Sequence, residues 1–106
     1  MKMNDYQIEA YKTAIYPKSA VPHYNGLAIA EEAGEICGKI KRYYRDNLPL
    51  EEVKKYIKKE GGDLLWELCG ILTEFELTLE EVAEANLEKL RDRAARGVIS
   101  GSGDNR

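Results

Sequence analysis

Four acids stand in two equally spaced pairs. Glu32 and Glu35 lie within Glu31-Glu32-Ala33-Gly34-Glu35, and Glu60 and Asp63 enclose Gly61-Gly62. Residues three apart share one side of a helix, so each pair presents its carboxylates together. At roughly 100° per residue, Glu60 falls at the edge of a stripe of Val53, Ile57, Leu64, Leu68, Ile71 and Phe75, with Glu67 and Asp63 just beyond it. Glu32 holds the same position beside Ile29, Ile36, Ile40 and Tyr43, and Glu35 matches Asp63. Carboxylates gathered at a core edge repel one another and are costly to desolvate unpaired. A hard divalent cation compensates most economically, because Mg²⁺ takes oxygen ligands and keeps waters that a phosphate can replace. Glu32 and Glu60, set against the apolar stripes, are the strongest ligand candidates. With Glu35 and Asp63 the two helices offer four. Glu31 lies about 100° from Glu32 on the wheel, as a supporting or surface residue. Glu51, Glu52, Glu80, Glu81 and Glu84 read as solvated surface.

A second feature lies further along the chain. Asn86 adjoins an apolar face of Leu79, Val82, Ala83, Leu87 and Leu90, with Lys89 and Arg93 beside it. An amide and two cations at a core edge suit a phosphate-bearing ligand, and the plain alternative pairs Lys89 with Glu88 or Asp92 at the surface. A di-iron carboxylate bundle needs Glu-x-x-His pairs, and the one histidine, His23, is outside both acid motifs. Cys37 and Cys69 lack Cys-x-x-Cys spacing and sit in apolar stretches, so buried, reduced thiols are expected.

Helices must carry these residues, and the pattern supplies four, with no convincing strand. The first is expected from about Asp5 to Tyr16, capped by Asn4 and stopped by Pro17. After a loop through Pro22, the second runs from His23 to about Arg45, and the third from near Leu50 to about Glu76. Thr78-Leu79-Glu80-Glu81 opens the fourth as a capping box, and it ends near Gly97. The expected organisation is one all-α domain over residues 1–97 with a polar, glycine-rich tail over 98–106. The two acid motifs also align as a weak repeat with small residues between the acids. Each interior Gly costs roughly 0.8–1.0 kcal/mol relative to Ala, so the spacers are expected where the two helices approach closely.

Composition bounds the class. With 43% hydrophobic and 33% charged residues, the chain is too apolar for disorder and too charged for a membrane protein. No apolar run approaches the ~18 residues of a spanning helix, and Met1 to Asn4 does not begin a signal peptide, so a cytoplasmic protein without a membrane partner is expected. A net charge of −3 argues against stable nucleic-acid binding. A chain of 106 residues has a thin core of its own, and a homodimer or dimer of dimers is expected to complete it.

Several stretches carry a resemblance. Leu27-Ala28-Ile29-Ala30-Glu31-Glu32-Ala33-Gly34-Glu35-Ile36-Cys37-Gly38-Lys39-Ile40-Lys41, Lys59-Glu60-Gly61-Gly62-Asp63-Leu64-Leu65-Trp66 and Leu79-Glu80-Glu81-Val82-Ala83-Glu84-Ala85-Asn86-Leu87-Glu88-Lys89-Leu90 are similar to small single-domain members of the MazG-like nucleoside triphosphate pyrophosphohydrolases. The likeness continues through Arg93, Arg96-Gly97 and the closing Gly101-Ser102-Gly103-Asp104-Asn105-Arg106. It implies an all-α, four- to five-helix bundle-type fold completed by homo-oligomerisation. It also implies Mg²⁺-dependent conversion of an NTP or dNTP to monophosphate and pyrophosphate, with Mn²⁺ as a substitute ion. Under the resemblance Glu32, Glu35, Glu60 and Asp63 hold the metal, and Glu31 orients or deprotonates a water that attacks the α-phosphorus. Asn86, Lys89 and Arg93 contact phosphate or sugar, and Tyr24, with His23 and Tyr16 nearby, contacts the base. Two departures stand out: Gly61 replaces a more usual Leu, and Glu67 occupies a position that is often aromatic. A non-catalytic helical regulatory or interaction module is the alternative; it fits the helices but not acids set against apolar stripes.

Overall fold

The computed structural model describes residues 1–106 as an all-helical chain. Helix α1 spans Met3–Tyr11, a 3₁₀ turn Lys18–Ala20, α2 His23–Asp46, α3 Leu50–Glu74 and α4 Leu79–Ala95. Helices α2 and α3 form a long antiparallel hairpin, α1 packs on α3, and α4 meets α1. Asn47 ends α2 in the left-handed conformation at φ 53°, which Asn tolerates, and Pro49 fixes the entry to α3. No helix is long and apolar enough to cross a membrane.

One glutamine joins three helices. Gln7, buried on α1, donates through Nε2 to Thr73 Oγ1 at 3.0 Å and to the Leu77 carbonyl at 2.8 Å. Its Oε1 accepts the Leu79 N–H at 2.7 Å. Asn4 Oδ1 accepts from the Glu80 N–H at 3.1 Å, and Thr78 Oγ1 from the Glu81 N–H at 3.2 Å. The first three amides of α4, which have no partners within the helix, are thus all satisfied by side chains. Around this junction Cys69, Leu72 and Leu79 form the buried apolar cluster, with Tyr6, Leu65 and Val82 packed against it.

The structure departs from the pattern reading in several places. Helix α1 stops at Tyr11 and not at Tyr16, because the Ala10 carbonyl accepts Trp66 Nε1 (3.1 Å) and the backbone N–H and hydroxyl of Thr13 (3.1 and 2.7 Å). Asn4 lies inside α1 and caps α4; Lys2 precedes α1 without a side-chain cap bond. On α3 the expected stripe fails beyond Leu64: Leu68 is 36% and Phe75 57% exposed, while Glu67, Cys69, Gly70 and Leu72 are buried. A single-stripe reading assumes one neighbour, but α3 is flanked by both α2 and α1. Of the expected apolar face of α4 only Leu79 is buried and Val82 half-buried; Leu87 and Leu90 are 47% and 40% exposed. Cys69 is buried as expected, but Cys37 is exposed. A side chain at Gly34, Gly61 or Gly62 would meet nothing within 4 Å, so those spacers serve no close approach within the chain. Among the helical glycines only Gly70 has close neighbours: a Cβ there would lie in ordinary contact, 3.5 Å from Asn25 Nδ2 and 3.7 Å from the Tyr16 ring.

Candidate active site

Both acid motifs fall on the α2–α3 hairpin, and the antiparallel register lays one against the other. Ligand oxygens of Glu32, Glu60 and Asp63 gather within 4.8 Å of one another, the two glutamates half-buried and Asp63 exposed. Glu35, one turn further along α2, is exposed and outside this group of three. No Lys or Arg pairs with any of the four, since the ion pairs of the chain use Glu9, Asp46, Glu51, Glu74, Asp92 and Asp104. Burial, and then the charges of Asp63, Glu31, Glu60 and Glu35, push the Glu32 carboxyl above its ordinary range. Three unpaired, all-oxygen donors at this spacing fit a hard divalent ion.

A cleft of about 340 Å³ opens beside the trio, lined by Tyr24, Leu27, Ala28, Glu31, Glu32 and Glu67. Its α2 wall climbs from Tyr24, which stacks on Tyr16 at 5.5 Å, to the acids two turns later. Glu67 is 93% buried, and its Oε2 has no hydrogen-bond partner. Desolvation, reinforced by Glu32, Glu31 and Asp63, raises its carboxyl as well.

The MazG nucleotide pyrophosphohydrolase domain matches residues 22–98, the stretch that carries the acid trio, the cleft and α4. The chain belongs to this family. It is similar along its whole length to the Gene 37 protein of Mycobacterium phage L5, which is 37% identical over 114 aligned positions covering all of both chains. No solved structure matches.

Within one copy of this MazG domain, α2 and α3 alone build the cleft and the trio. Asn86 and Lys89 are exposed on α4 and are not brought to the acids. Arg93 is buried, and the C-terminal tail engages it: its Nη2 donates to the Asp104 carbonyl at 2.6 Å. The Asp104 carboxylate lies 3.8 Å from Arg93 and 3.7 Å from Lys89. The tail is held by Arg106, which donates to the carbonyls of Val98, Ile99 and Gly103. Tyr24, which the resemblance sets at the base, lines the cleft. Pattern reading set Glu67 just beyond the apolar stripe without giving it a place in the site, and missed Asn25; both are buried with unpartnered side-chain atoms. A signal for the first existed, since Glu67 lies only about 20° from Glu60 on the wheel.

Proposed function

We propose that this domain is a Mg²⁺-dependent nucleoside triphosphate pyrophosphohydrolase, releasing a nucleoside monophosphate and pyrophosphate. The observation that carries the reading is the convergence of Glu32, Glu60 and Asp63 without any cationic partner, beside a cleft lined by both apolar and acidic residues. These three, with Glu35 on the adjacent turn, would hold the ion, which when bound supplies charge neutralisation for the triphosphate and an acidified water. Glu31, exposed and lining the cleft, would orient the attacking water and accept its proton. Tyr24 and Leu27 offer a flat apolar surface to the nucleoside. Incubating the purified protein with Mg²⁺ and the eight common (d)NTPs, with ion-exchange separation of products, tests the reading. At least one triphosphate yields equal amounts of monophosphate and pyrophosphate; if all eight persist unchanged, the activity on common nucleotides is wrong.

A second copy belongs to the same proposal. The chain exposes 7755 Å², whereas a compact monomer of this mass exposes roughly 6,000 Å². Its radius of gyration is 16.6 Å, against about 13 Å for a compact chain of this length. The excess surface, near that of an obligate interface, includes Leu87 and Leu90 on α4 and Leu68 and Phe75 on α3. Covering it with a second chain would allow the exposed Asn86 and Lys89 of that copy to meet the phosphates, whereas Arg93 is buried and bonded to the Asp104 carbonyl. Light scattering is expected to give a mass of two or four chains, and a monomer at micromolar concentration would remove this part.

A further inference from the structure

Tyr24 is the aromatic residue of the cleft lining, and it stands on the first turn of α2. That turn has little of its own to fix it. Pro22, which precedes the helix, makes no side-chain cap bond, and the segment between α1 and α2 holds only the 3₁₀ turn Lys18–Ala20. Helix ends without such bonds fray. A surface that a ligand must find in one place therefore needs support from outside the helix.

Tyr16 supplies it. Its ring lies 5.5 Å from that of Tyr24 with the planes 23° apart, so it covers one face of Tyr24, which remains 41% exposed. Although it belongs to a connecting segment, Tyr16 is only 7% exposed. Its hydroxyl donates to Glu74 Oε1 on α3, and the Lys18 ammonium lies 4.1 Å from its ring centre. Its ring edge and hydroxyl pass 3.7 Å from where a Cβ on Gly70 would stand. Glu74 is held in turn by Lys18 and Tyr11. A hydrogen bond to a charged acceptor fixes direction as well as distance. A line of support thus runs from α3 through Glu74 and Tyr16 to Tyr24. Pinning the segment to α3 does not require it, since Lys18 already does that. What the Tyr16 ring adds is a face for Tyr24 to rest on.

We propose that Tyr16, anchored by Glu74, is a positioning residue for nucleotide binding: it sets the plane of the Tyr24 ring, whose open side receives the flat ring of the nucleoside. The proposal rests on the nucleotide reading above. Stacking of a base on an aromatic side chain is worth roughly five- to a hundredfold in affinity. That gain is kept when the aromatic ring is already in place, and part of it is lost when the ring must be ordered on binding. Tyr16 touches no ligand atom and acts through Tyr24 alone.

The test is a double-mutant cycle on the binding of AMP, GMP, CMP and UMP to the full-length protein, read by calorimetry without turnover. Its corners are the parent, Tyr16→Leu, Tyr24→Leu and the double variant. Tyr24→Leu is expected to weaken the tightest-bound monophosphate roughly tenfold. Tyr16→Leu is expected to cost nearly as much, and the double variant to bind within about twofold of Tyr24→Leu, because a residue that acts through another then has nothing left to position. Tyr16 is buried, so Tyr16→Phe is the second variant should leucine not fold. It keeps the ring and frees it from Glu74, and it is expected to weaken the same nucleotide about threefold in the parent and not at all beside Tyr24→Leu. Melting curves and circular dichroism confirm folded chains. Losses that multiply in the double variant, unchanged affinity in both Tyr16 variants, or no measurable binding of any of the four nucleotides overturns the proposal. The two readings fail separately: coupled losses in a protein that hydrolyses no triphosphate remove the enzyme and keep the positioning residue. Triphosphate hydrolysis with KM values insensitive to Tyr16 does the reverse.

Discussion

Two carboxylate clusters that share helix α3 have opposite characters. At the end of α3, Glu74 Oε1 accepts from Tyr16 at 2.5 Å, Tyr11 at 2.6 Å and Lys18 at 2.7 Å. The Lys18 ammonium also lies over the Tyr11 and Tyr16 rings. Those hydrogen bonds, Lys18 first, hold the Glu74 carboxyl down at about 2. Midway along the hairpin, Glu32 and Glu67 are pushed up by burial and by each other's neighbours, and no cation approaches. The first cluster ties the loop before α2 to α3 and is complete in itself. The second is complete only with something the chain does not contain. Polar groups that finish their own hydrogen bonding build the fold, and those left open in a buried setting mark where a ligand enters.

The comparison is broken most severely at the open cluster. Glu60→Gln keeps shape and removes one charge from the trio, and pyrophosphate release is expected to fall by more than about a hundredfold, beyond the loss usual for a residue that merely supports a metal ligand. In chelator the same variant should melt a few degrees higher than the parent, because one source of repulsion is gone. Calorimetric melting beside the product assay reads both. A variant that melts lower while staying active would place Glu60 with the structural carboxylates.

The next largest effect is at the junction of α1, α3 and α4. Gln7→Leu removes three hydrogen bonds and strands the buried Leu79 N–H. The expected loss is about 3 kcal/mol, or upwards of about 10 °C in Tm for a domain of this size. Denaturant unfolding measures it, and a change below about 1 kcal/mol would mean that water replaces Gln7.

Much of this was legible in the sequence, and the failures share a physical cause. The limits of α2 and α3 and the Thr78 cap follow from local chemistry, where Pro49, Asn47 and the Thr-x-x-Glu spacing act within a few residues. Three of the four acids gather, with Glu35 outside, and the sequence pointed to their shared edge because helical phase depends only on spacing. Whatever depends on a third element was not legible. Trp66 ends α1 from 56 positions away, and Asn4 caps a helix that begins 75 residues later. The burial of Glu67 and the exposure of Leu68 follow from α1 taking a side of α3 that a two-helix picture leaves to solvent. The glycine spacers of the acid motifs have open space around them, so their role does not lie in the contacts of a single chain.

The mildest test separates the two clusters by pH. The Glu74 carboxyl titrates near 2 in the folded chain and at about 4.3 when unfolded. A depressed carboxyl contributes stability that is fully present above the unfolded value and is lost as pH falls towards the folded one. Between pH 7 and about 5 the parent should exceed Glu74→Gln in Tm by a constant margin, and from about pH 4.5 to pH 2 that margin should shrink to nothing. The raised Lys18 ammonium leaves this window untouched, since its contribution holds everywhere below its unfolded value near 10.4 and fades only in alkali. Glu60→Gln should show the opposite trend, its advantage over the parent in chelator fading as acid neutralises Glu32, whose carboxyl burial and then neighbouring charges push up. Crossing the two profiles in one buffer series, with metal withheld, distinguishes a carboxylate that stabilises the fold when charged from one that strains it. Parallel profiles would show that the two clusters do the same work.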